Sequence, residues 1–117
     1  KMLNNSEPKE YVLASGETTT VKDFISMAFK ELEINGKWEN KTDDNLNEIY
    51  CMMHKGKRIE LVNINEKFYR PAEVDLLLGD STLARKELNW KPKLNIRGLI
   101  KKMVKHDYND LLNNCLR

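Results

Sequence analysis

The chain has 117 residues, of which 40% are hydrophobic and 32% charged, and its 20 basic and 18 acidic residues leave a net charge of +2. That composition describes one small globular domain with a modest core. The near-neutral charge argues against a nucleic-acid-binding domain, which carries a basic stripe. No apolar run reaches the length of a membrane span, and no signal-peptide pattern stands at the N-terminus. The first residue is Lys1, so the chain is read as a processed product or as a piece of a longer one.

Residues 1–10 are polar and read as a frayed end followed by a loop. Residues 11–14 (Tyr-Val-Leu-Ala) form a short apolar run before Gly16, and a buried strand is predicted there. Thr18, Thr19 and Thr20 offer helix caps, with Asp23 in the first turn. Val21, Phe24, Ile25, Ala28, Phe29 and Leu32 then recur at helical spacing, and the helix ends before Asn35-Gly36.

Residues 35–48 are polar. Trp38 stands out and begins a short predicted strand. Asp43, Asp44, Asn45 and Asn47 lack the glycine and terminal glutamate of a calcium-binding loop, so a surface loop is expected. Residues 48–53 and 57–64 read as two strands of a hairpin around His54-Lys55-Gly56, with Ile59, Leu61 and Ile64 as buried positions.

Residues 76–78 are three leucines, read as a buried strand stopping at Gly79. Asp80 or Ser81 caps a short helix carrying Leu83, Ala84 and Leu88, and Asn89-Trp90-Lys91-Pro92 ends it. Asn95 caps a final helix with an apolar stripe of Ile96, Leu99, Ile100, Met103, Val104, Tyr108, Leu111 and Leu112. Lys101, Lys102, Lys105 and His106 form the densest basic stretch, read as a solvated helix face. The sum is a small α/β fold, α+β-like, with a small mixed sheet and three main helices.

Little catalytic chemistry is legible. Gly16, Gly36, Gly56, Gly79 and Gly98 form no GxGxxG, GxxGxxG or P-loop pattern, so no dinucleotide or triphosphate cradle is expected. None of Tyr11, Tyr50, Tyr69 and Tyr108 is followed four residues later by a lysine, the pairing that serves proton transfer in short-chain dehydrogenases. His54 and His106 belong to no metal or triad pattern and read as surface residues. Cys51 and Cys115 have no metal-ligand spacing, and reduced, partly buried thiols are expected.

One local pattern points to binding. Pro71 holds Arg70 in an extended conformation, and a guanidinium fixed in this way can fork onto phosphate oxygens. Glu73, three residues on, could accept hydrogen bonds from the two hydroxyls of a ribose. A surface ion pair between Arg70 and Glu73 is the ordinary alternative and, from the residues alone, the favoured one.

The sequence from Tyr11 to Asp107 also resembles the GDP-mannose 4,6-dehydratases. The family's YVLATGE-like segment stands as residues 11–17, and its Thr/Ser-Val-x-x-Phe helix start as Thr20-Val21-Lys22-Asp23-Phe24. Its YFRPxEVDLLLGD segment stands as residues 68–80, with the two aromatics exchanged. LGWKP stands as Leu88-Asn89-Trp90-Lys91-Pro92, and a Met-Val-x-x-Asp helix as residues 103–107. The LGWKP-like ending occurs across many extended short-chain dehydrogenases; RPxEVDLLLGD is much more specific. The departures are Asn89 in place of glycine and a shorter, more polar region over residues 36–58.

The resemblance implies that residues 1–117 are the C-terminal, nucleotide-sugar-binding part of an extended short-chain dehydrogenase, without its Rossmann NADP-binding domain. The family converts GDP-mannose to GDP-4-keto-6-deoxymannose, a step toward GDP-fucose or related deoxysugars. NADP takes a hydride from C4, water leaves across C5 and C6, and the hydride returns to C6. By that analogy Arg70 holds the diphosphate and Glu73 the guanosine ribose. No catalytic, cofactor-binding or metal residue is expected in this chain. NADP belongs to the absent half, and GDP-mannose, that half and further copies of the enzyme are the expected partners, in the cytoplasm. A stand-alone, non-catalytic nucleotide-sugar-binding module is the competing reading, as is a dehydratase or epimerase acting on another nucleotide sugar. A plain interaction domain without ligand is the remaining one.

Overall fold

The computed structural model describes residues 1–40, 48–70 and 76–116. Thr20 opens the first helix, α1 (Val21–Glu31), from an extended conformation: its Oγ1 accepts the Asp23 backbone N–H at 3.0 Å and donates to Asp23 Oδ2 at 2.8 Å. This satisfies one of the free amides of the first turn and places a negative charge at the positive end of the helix dipole. At the other end Glu33 takes a left-handed conformation at φ 59°. The Ile34 N–H then bonds Phe29 O and the Glu33 N–H bonds Lys30 O, the paired closure of a Schellman motif.

Three antiparallel strands follow: β1 (Gly36–Asn40), β2 (Glu48–His54) and β3 (Lys57–Asn63), in the spatial order β1-β2-β3. β1 meets β2 with Trp38 opposite Tyr50. β2 turns into β3 through Lys55 (φ 51°) and Gly56 (φ 73°). Both are on the positive side, as the hairpin turn whose twist matches that of the strands requires.

The central strand supplies the core: Ile49, Tyr50 and Cys51 are buried. α1 lies on the sheet with its residues 24–29 half-buried. Phe29 stacks on Tyr50 with centroids 5.0 Å apart, and Trp38 meets the Tyr50 ring at 5.2 Å and 60°. The Trp38 indole N–H is not left unpaired, since it donates to Ser26 Oγ at 2.9 Å. Gly36 makes room for this cluster, because a Cβ there would fall 2.4 Å from Tyr50 Cε1 and 2.8 Å from the Cys51 carbonyl.

The hairpin sits where the sequence places it, but its buried positions do not. Ile59 and Ile64 are exposed and Leu61 is only half-buried. Tyr50 pairs with Val62 and Cys51 with Glu60, so the register shifts between them and Leu61 is passed over. Such a bulge breaks the alternation on which a buried-face reading depends, and β3 is an edge strand besides.

A 3-10 turn, Glu66–Phe68, follows the sheet. α2 (Thr82–Leu88) buries Ala84 and Leu88 while Leu83 is exposed. Its cap is divided: Asp80 Oδ1 accepts the Thr82 N–H at 2.9 Å and also the Thr82 hydroxyl, whereas Ser81 holds the N-cap position without bonding the helix amides. α3 (Ile96–Cys115) starts as expected, with Asn95 Oδ1 accepting the Gly98 N–H at 2.9 Å. Its first half packs on α1 and buries Ile100. Much of the predicted stripe is uncovered, with Leu99, Met103, Tyr108, Leu111 and Leu112 exposed.

The two strands predicted at residues 11–14 and 76–78 are not formed. Both segments carry no regular secondary structure, and Val12, Leu13, Leu76, Leu77 and Leu78 are all more than half exposed. The segments that contain them run close together where Gly79 faces Ala14, a Cβ on Gly79 falling 2.6 Å from Ala14 Cβ. A strand needs a neighbour offering a ladder of hydrogen bonds, and hydrophobic pattern alone does not supply one. The Cα radius of gyration is 19.4 Å, against about 13 Å for a compact domain of this length. The described residues thus form a small α/β fold with three main helices, spread around a limited core.

Candidate functional site

Arg70 lies just after the turn at Glu66–Phe68. Asn65 Oδ1 accepts the Lys67 N–H at 3.0 Å, and the Tyr69 N–H returns to Glu66 O at 3.1 Å. Tyr69 then leaves in an extended conformation (φ −72°, ψ 131°). Arg70 is exposed, as are Phe68 and Tyr69 before it. Glu73, with the other residues from 71 to 75, lies outside the described residues. The structure therefore places the arginine and the leucines that close the segment, and the expected roles of Arg70 at a diphosphate and Glu73 at a ribose rest on the sequence.

The far end of the segment is tied down by an arrangement that the sequence reading missed. Ser81 is buried, and its hydroxyl donates to the Ala14 carbonyl at 2.9 Å. Arg85, one turn on, donates through Nε to Ser81 Oγ and through Nη2 to the Ser15 carbonyl, each at 2.9 Å. Two successive carbonyls ahead of Gly16 (φ 81°) are thus held by the first turn of α2. The serine and arginine four apart were the visible signal, since that spacing puts both on one helix face, but the carbonyls they meet are about 70 residues away in sequence.

A second tie joins the same two regions. Lys9 Nζ lies 3.1 Å from Glu87 Oε1, and the Tyr11 hydroxyl donates to Glu87 Oε2 at 2.8 Å. These bonds, the tyrosine first and the lysine next, hold the Glu87 carboxyl below its ordinary range. Tyr11 is pushed up, first by desolvation and then by the carboxylate beside it. Lys1 Nζ reaches the Asn89 carbonyl at 2.9 Å. The N-terminal segment is therefore strapped along α2, and the segment after Arg70 ends against that strap.

Of the remaining sequence candidates, the histidines and the lysines of α3 fall on the surface. His54 is exposed, and His106 is exposed with its Nδ1 3.3 Å from Asp107 Oδ1. Lys101, Lys102 and Lys105 are exposed on α3. Cys51 is buried and Cys115 exposed, both as free thiols. Asp43, Asp44, Asn45 and Asn47 lie outside the described residues.

The family model described as GDP-mannose 4,6 dehydratase matches residues 1–103. The chain belongs to the GDP-mannose 4,6 dehydratase family. It is 41% identical over 106 residues to the GDP-mannose 4,6 dehydratase of Drosophila melanogaster, a match covering 91% of this chain and 26% of that protein. It is 42% identical to that of Dictyostelium discoideum (91% of this chain, 28% of that protein) and 39% identical to that of Homo sapiens (91% and 27%). The chain spans about a quarter of the length of the curated relatives it matches.

The family's short motifs now have structural positions. The 11–17 segment is the strapped run that ends at the Gly16 turn, and the Thr-Val-x-x-Phe motif is the capped start of α1. Asn89, which stands where the LGWKP motif has glycine, has φ 47° and ψ 42°. That left-handed conformation suits glycine best and asparagine next. Asparagine at this position is therefore compatible with the left-handed residue that closes α2.

Proposed function

We propose that this chain is the nucleotide-sugar-binding part of a GDP-mannose 4,6-dehydratase, a lyase that removes water from GDP-mannose to give GDP-4-keto-6-deoxymannose. The observation that carries the reading is the family match together with the specific segment Arg70-Pro71-Ala72-Glu73-Val74-Asp75. In this reading Arg70 forks onto the diphosphate and Glu73 accepts the ribose hydroxyls. The hydride carrier is NADP, which a Rossmann half supplies together with the reacting residues.

The exposed leucines at 76–78 and the exposed Val12 and Leu13 support such a neighbour. They are two apolar segments without regular secondary structure lying near each other, and burying them against another body removes their contact with water. The 117-residue chain alone is accordingly inactive and does not bind NADP. The complete enzyme is a cytoplasmic homo-oligomer serving deoxysugar synthesis of the GDP-fucose type.

Substitution at the clamp tests the reading. In the dehydratase that contains this chain, Arg70→Ala removes a charge-assisted phosphate contact and weakens GDP-mannose binding by about 2–3 kcal/mol. Substrate affinity unchanged in Arg70→Ala and in Glu73→Gln would overturn the proposed roles. Dehydratase turnover by the purified 117-residue chain would overturn the division of labour.

A further inference from the structure

We draw no further inference here: the strongest candidate, the open groove between the C-terminal end of α1 and α3, lined by Leu32, Ile34, Lys101, Val104, Lys105 and Tyr108, is an unpartnered, partly apolar face, and nothing in the structure shows what covers it.

Discussion

Ser81→Ala removes the hydroxyl that joins α2 to the segment before Gly16. Two bonds go at once, the one donated to Ala14 O and the one accepted from Arg85 Nε. The first is a neutral bond at a buried side chain and contributes about 1 kcal/mol; the second, to a charged donor, contributes about 1.5–3 kcal/mol. Arg85 is exposed, so water takes over its N–H and the second loss falls at or below the low end. The expected cost is about 2 kcal/mol, roughly a 30-fold change in the ratio of folded to unfolded chain. Arg85 keeps its bond to the Ser15 carbonyl in this variant, so the tie is weakened and not abolished. Urea denaturation of the wild type, Ser81→Ala, Arg85→Ala and the double variant measures both terms. The double-mutant cycle should return a coupling of about 1 kcal/mol, because the two side chains share a bond. A Ser81→Ala cost under about 0.5 kcal/mol, or strict additivity with Arg85→Ala, would refute the reasoning.

Gly36→Ala should destabilise the chain by about 1–3 kcal/mol through overpacking, since the added methyl meets a tyrosine ring wedged between Phe29 and Trp38 as well as the Cys51 backbone; a neutral or higher midpoint in denaturation would show that the cluster yields. Glu33→Gly should stabilise by about 1 kcal/mol, because the residue closing α1 sits at φ 59° and glycine lacks the Cβ that makes this costly; thermal melting reads the gain. Glu87 titrates below its ordinary range in the folded chain, so its contribution is complete above that range and is lost as pH falls through the lowered value. The strap should therefore loosen in acid, with hydrogen exchange around Tyr11 rising first, and Glu87→Gln should flatten the acid limb of stability. Tyr11 is shifted upward, so the opposite limb appears as pH climbs above the ordinary tyrosine range.

The parts of the fold legible in the sequence are those whose partners lie close in the chain. Thr20 and Asn95 cap the helices expected of them, because a cap needs only the amides of the next turn. The hairpin is legible for the same reason, through Lys55-Gly56. Where partners are remote, pattern was a poor guide. The leucines at 76–78 look like a buried strand by composition, yet burial depends on what lies against them, which no local signal encodes. Leu61 lost its assigned place to a bulge, which shifts the register of β2 against β3 without a mark in the hydrophobic pattern. The strap of residues 1–15 on α2 was invisible because its bonds link residues roughly 70 to 90 positions apart. At the candidate site, Arg70 and Glu73 were legible only through resemblance, since an arginine and a glutamate three residues apart on a loop are common. Both residues lie within the stretch that the family model matches.

The measurement that bears most directly on the proposed role is made on a chimera. The part of the Drosophila melanogaster dehydratase that matches this chain is replaced by residues 1–117, and the purified product is incubated with NADP and GDP-mannose. Mass spectrometry should show GDP-mannose converted to a product lighter by one water, and Arg70→Ala in the same chimera should raise KM. A folded chimera that, with NADP supplied, neither binds GDP-mannose nor dehydrates it would contradict the assignment.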